Sequence, residues 1–124
     1  MKRFLIAGVI FAFLAVLLGA FGAHALKDQV ATEYLEIWKT AVTYQMFHSL
    51  ALMIWALMGQ KIKLVSIACG CFVLGILLFS GSLYLLVLSG IKMLGMITPI
   101  GGTLFLLGWL LALVGVVRDF KPTP

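Results

Sequence analysis

The sequence predicts an all-α integral membrane protein: a four-helix up-and-down bundle with a short interfacial amphipathic helix between spans one and two. Two observations carry that reading. Hydrophobic residues make up 64% of the 124 residues and charged residues only 10%, whereas a soluble domain needs about 25% charged residues to cover its surface. The apolar residues also collect into four runs that contain no Asp, Glu, Lys or Arg, at 4–26, 41–60, 64–90 and 93–117. Each matches or exceeds the roughly 20 residues with which a helix crosses a hydrocarbon core of about 30 Å. Membrane strands would alternate in polarity over about ten residues, and no such pattern occurs. The length allows one domain, 1–124.

The first run follows Lys2 and Arg3 and ends near Ala23-His24-Ala25, which imitates the cleavage site of a secretory signal. It is, however, longer than the apolar part of a usual signal. It also carries a stripe of small residues, Gly8, Ala12, Ala15, Gly19 and Ala23, at the three- and four-residue spacing that lets helices approach closely. A retained first span is the reading that follows.

Between the first two spans lies the one connection of any length, which holds Asp28, Glu33 and Glu36, three of the four acids. Val30, Tyr34, Ile37, Trp38 and Ala41 keep helical spacing, with Gln29, Glu33, Glu36 and Lys39 opposite. This predicts an amphipathic helix over about 30–40, lying at the outer interface and running into span two. Trp38 and Tyr34 suit that depth. The alternative is a solvated partner-binding loop.

The other connections are tight. Gly59-Gln60-Lys61-Ile62-Lys63 turns span two into span three, and Ser89-Gly90-Ile91-Lys92 ends span three with Gly90 as a left-handed cap. Such short links make neighbours antiparallel. In Thr98-Pro99-Ile100-Gly101-Gly102 the proline sets either a helix start, with Thr98 as its cap, or a kink. Gly108, Ala112 and Gly115 then give span four its own small face. With this topology Lys2, Arg3, Lys61, Lys63, Arg118 and Lys121 share one side, six of the nine cations, against Lys27, Lys39 and Lys92 on the other. The richer side should be cytoplasmic, with both termini on it.

That distribution, in singles and pairs between apolar runs, also argues against nucleic acid as the partner behind the net charge of +5. Cys69 and Cys71 project about 200° apart on a helix, so they share neither a metal nor a local disulfide, and they read as small packing residues.

Span two is unusual for carrying Tyr44, Gln45 and His48 inside a membrane-length run. Polar residues within spans are costly and need partners. Ser80, Ser82 and Tyr84 of span three, Thr98, Gly101 and Gly102 of span four and His24 at the end of span one converge on the same outer half. Two explanations stand: hydrogen-bonded glue between helices, or a vestibule open to the outside with His48 at its floor. No carboxylate lies within any span. That weakens proton transfer, which needs a counter-charge, and nucleophilic catalysis, which needs an acid to orient His48 toward Ser80 or Ser82. Haem ligation by His24 and His48 fails on depth, since the two differ by roughly 7–11 Å on ideal helical rises. A lipid headgroup or other small ligand remains, received by the cluster and by free N–H groups near Gly101 and Gly102. The expectation is therefore no catalytic residue, no metal and no cofactor.

Taken together, Gly19-Ala-Phe-Gly-Ala-His-Ala-Leu26, Trp38 with Tyr44-Gln45 and His48-Ser-Leu50, Phe79-Ser-Gly-Ser-Leu-Tyr84, and Thr98-Pro-Ile-Gly-Gly102 with Gly108-Trp109 resemble the domain of unknown function 423 family. These are small bacterial multi-pass membrane proteins similar to the transmembrane protein 256 group. The resemblance implies a four-helix protein of the bacterial cytoplasmic membrane and brings no catalytic residues with it. The function expected is a non-enzymatic membrane protein that binds a lipid or small ligand, or supports a partner complex, through the outer cluster. The alternative is a small transporter or channel subunit acting as a homo-oligomer.

Overall fold

Helices account for almost all of residues 1–121, the residues that this computed structural model describes, and no strand occurs among them. The last three residues of the domain expected over 1–124, and the side chain of Gln60, lie outside the described part. Helix one spans Lys2–Leu26, helix two Thr32–Met58, helix three Lys63–Ser89 and helix four Lys92–Asp119, all four long and apolar enough to cross a membrane. Their outer surfaces remain apolar, with Phe13 and Phe47 each 66% exposed and Val117 78%. Water would penalise such a surface, whereas lipid solvates it.

The reversals follow local chemistry. Gly90 takes φ 72°, ψ 6°, and its N–H caps Leu86 O at 2.8 Å, as expected of glycine beyond a helix end. A single 3-10 turn, Gly59–Lys61, joins helices two and three. Helix four opens as a 3-10 turn, Lys92–Met96, and becomes α-helical at Thr98 with Pro99 in its first turn. The break expected near Thr98 is there, but the cap position falls on Ile97, whose side chain has no acceptor, and the Thr98 hydroxyl is bonded to Ser82 instead.

The connection between spans one and two departs from expectation. Residues 32–40 form no separate interfacial element, because helix two runs unbroken from Thr32 to Met58. No proline or glycine interrupts that stretch, and tertiary packing holds it upright. Trp38 is 1% exposed, packed against Tyr84 with its Nε1–H donating to Leu18 O at 2.8 Å. It is a core residue, not an interfacial anchor. The charged face stays outside, with Lys39 and Glu36 paired at 3.2 Å.

Helices one and two form one antiparallel hairpin and helices three and four another, joined by contact between two and three. Only 11% of helix one's apolar window is buried, against 39% for helix two and 44% for helix three, so the middle pair forms the centre. Helix one packs through Gly8, Ala15 and Gly22. Gly22, seven residues beyond Ala15 and so on the same helix face, lies against the Trp38 ring and leaves Ala23 exposed, contrary to the expected stripe, and a wide π turn then runs over Gly22–Leu26.

Helices three and four interlock by exchanging aromatic rings and glycines. Phe105 covers Gly75, where an added Cβ would lie 2.5 Å from the ring, and Phe72 covers Gly108, where it would lie 2.7 Å away. At Gly101 the added carbon would strike the backbone of Phe79. Rings can rotate away from an intruding methyl; helix backbone cannot without parting the pair. Gly101→Ala should therefore destabilise the bundle by about 1–3 kcal/mol, the range of overpacked cores. Gly70→Ala, inside helix three where nothing lies within 4 Å, should not lower the midpoint, since alanine favours helix over glycine. Thermal unfolding in mild detergent, followed by circular dichroism, compares the two; equal midpoints would refute the interlock.

Candidate functional site

Gln45 sits at the centre of the polar residues, 3% exposed. Its Nε2 donates to Phe11 O of helix one at 2.8 Å, while its Oε1 accepts the Tyr84 hydroxyl of helix three at 2.7 Å. One side chain thus ties three helices. Ser80 donates to Ala41 O of helix two at 2.7 Å. Ser82 lies 2.9 Å from Phe79 O and 2.7 Å from Thr98 Oγ1. A carbonyl only accepts, so the single Ser82 proton goes to Phe79 O and Thr98 donates to Ser82.

Burial leaves His48 7% exposed, its ring stacked on Phe105 with centroids 3.6 Å apart and 12° between planes. Its Nδ1 lies 2.7 Å from Tyr44 O, and its Nε2 lies 3.1 Å from Trp109 Nε1. The carbonyl can only accept and the indole N–H can only donate. The ring is therefore the neutral tautomer with its proton on Nδ1, and both nitrogens are engaged. A proton, a metal or a haem iron would have to displace Trp109 to reach Nε2.

The expected cluster therefore divides. Gln45, Ser80, Ser82, Tyr84 and Thr98 are interhelical ties, and no buried side-chain nitrogen or oxygen among the described residues lacks a partner. Gly101 and Gly102 do not form an open nest: the Gly101 N–H is directed to Ile97 O at 3.4 Å, and Gly101 is buried against Phe79. His24 is exposed at the end of helix one and makes no side-chain hydrogen bond with this network among the described residues.

Tyr44, His48 and Gly102 face something different. With Phe79, Phe105, Leu106 and Trp109 they line a half-open groove of about 390 Å³ between helices two and four. Tyr44 and Trp109 stand at its edge, 43% and 44% exposed. Two of the three phenylalanines at His48 and this groove, Phe72 and Phe105, are ones that the sequence reading does not single out; the third, Phe79, enters it only within the Phe79–Tyr84 motif. Their signal was available: 72 and 79 are seven apart, as are Gly101 and Gly108 opposite them.

Nitrogen-15 spectra of histidine-labelled protein at neutral pH should show His48 as the Nδ1–H tautomer. Trp109→Phe should release Nε2 and allow the other tautomer. An imidazolium, or an Nε2–H signal in the unsubstituted protein, would contradict this geometry.

No solved structure matches the chain. The family described as "Protein of unknown function (DUF423)" matches residues 18–102. A UPF0382 membrane protein of Staphylococcus aureus (strain bovine RF122) is 46% identical over 119 residues, covering 95% of this chain and 98% of that one. The UPF0382 membrane protein YwdK of Bacillus subtilis (strain 168) is 45% identical over 121 residues, again covering 95% and 98%. Both matches extend over nearly the whole chain, and the chain belongs to the DUF423 family of membrane proteins.

Proposed function

We infer that this is a non-catalytic protein of the bacterial cell membrane that takes the apolar chain of a membrane lipid, or of a lipid-like amphiphile, into the groove between helices two and four. The observation that carries the reading is the groove itself. Its volume falls within the roughly 300–1,000 Å³ of small-molecule sites, its walls are mostly aromatic, the one buried polar side chain in them, His48, has both ring nitrogens engaged, and Tyr44 and Trp109 stand at the edge. An acyl or isoprenoid chain would lie against Phe79, Phe105 and Leu106, with its polar end toward the exposed Tyr44 hydroxyl.

Several features support the rest of the reading. Six of nine cations flank the end that holds both termini, which favours a cytoplasmic placement of that end. Ser80 and Ser82 are bonded to helix backbone, away from His48, so no nucleophile is paired with a base. The polar side chains that a transport path would need are turned onto neighbouring helices, which favours a binding or supporting role over conduction.

Gly102 gives a clean test. A Cβ there meets only the Phe79 ring at 3.8 Å, so a larger side chain enters the groove without disturbing the helix contact. Native mass spectrometry of protein extracted with its membrane lipids should show a retained lipid or amphiphile. Gly102→Leu should lose at least nine-tenths of that adduct while its thermal midpoint stays level. An adduct undiminished in Gly102→Leu, or no adduct on the unsubstituted protein, would overturn the reading.

A further inference from the structure

At the end of the bundle that holds both termini, a second cavity of about 620 Å³ is lined by Leu57, Met58, Lys61, Ile62, Asp119, Phe120 and Lys121. Its lining has two characters. Leu57, Met58 and Phe120 are exposed apolar side chains, whereas Lys61 and Lys121 are cations from two different elements, the turn after helix two and the segment after helix four. The one carboxylate in the lining is already committed. Arg118 grips Asp119 with two bonds, Nε to Oδ1 and a terminal nitrogen to Oδ2, both 2.8 Å. Among the described residues, neither Lys61 nor Lys121 pairs with an acid.

Beside it, sharing Leu57, lies a cavity of about 390 Å³ lined by Met1, Lys2, Leu5, Ala56 and Leu57. It brings Lys2 and the chain's amino terminus to the same patch. Among the described residues, Lys2, Lys61 and Lys121 thus have no acidic partner, and exposed apolar side chains adjoin them. The opposite end differs: three of the four acids lie there, and Lys39 is paired with Glu36.

We propose that this end carries a headgroup site for an anionic phospholipid, with the phosphate between Lys61 and Lys121 and an acyl chain along Leu57 and Met58. Charge complementarity calls for the anion. The adjoining exposed apolar wall calls for a lipid and not a free phosphate, because a free ion would leave Leu57, Met58 and Phe120 without an occupant. The site is separate from the aromatic groove and does not depend on it.

The test uses the full-length protein in mild detergent, titrated with phosphatidylglycerol, phosphatidylcholine or inorganic phosphate and followed by thermal midpoint and by adducts in native mass spectra. Phosphatidylglycerol should bind and raise the midpoint; phosphatidylcholine should do so far less. Lys61→Gln combined with Lys121→Gln should weaken phosphatidylglycerol about 30-fold, as expected for two membrane-surface cations. Lys27→Gln combined with Lys92→Gln removes the same charge from the other end and should leave binding unchanged. Three results would overturn the proposal: equal loss in the two double variants, full binding in the first, or inorganic phosphate matching the lipid.

Discussion

In hydrocarbon no water is available to satisfy a side-chain amide, and Gln45 is buried where the bundle has to satisfy it from within. It does so by bonding a carbonyl of helix one and the Tyr84 hydroxyl of helix three. The Phe11 carbonyl lies inside helix one, but a carbonyl oxygen has a second lone pair, and Gln45 uses it. Trp38 does the same to Leu18 O, and Ser80 to Ala41 O. Trp38 and Gln45 are seven residues apart on helix two, as are Leu18 and Phe11 on the antiparallel helix one, so the two bonds repeat at one register. A shift of either helix by one residue would break both. Apolar contact between lipid-facing helices gives little sense of register, because lipid solvates such surfaces equally well. These bonds supply it.

The same economy explains which polar groups of the molecule stay accessible. Interior polar groups are consumed by the fold, including the two nitrogens of His48, which sequence chemistry alone would offer as a proton carrier or metal ligand. What stays accessible lies at edges: the aromatic groove around Tyr44 and Gly102, and the cationic rim around Lys61 and Lys121. Both combine an apolar wall with polar groups at one margin. That is the form of a lipid molecule, the occupant proposed for both.

Much of the architecture could be read from residues alone. The four spans, the Gly90 cap, the break near Thr98 and the small face of Gly108, Ala112 and Gly115 all depend on local chemistry, and all are present. The polar residues were located but their partners were not, since the acceptors at Phe11, Leu18 and Ala41 are backbone carbonyls, which carry no sequence signature. Trp38 misled for a related reason. An indole beside charged residues suits a membrane interface, and only the approach of Gly22 turns it into core. Gly101 reads in sequence as an open donor, and only the approach of the Phe79 backbone makes it a close helix contact.

The central claim is that the polar residues within the spans are there to hold the helices in register. A double-mutant cycle on Gln45→Leu and Tyr84→Phe, read by unfolding in mixed micelles, tests it most directly. Either substitution alone should destabilise the protein, and the pair should lose less than the sum, with a coupling of about 0.6–1.7 kcal/mol, the range of interhelical hydrogen bonds in membrane proteins. Strictly additive losses, or single variants as stable as the original, would contradict the account and leave Gln45 and Tyr84 to be explained by a ligand.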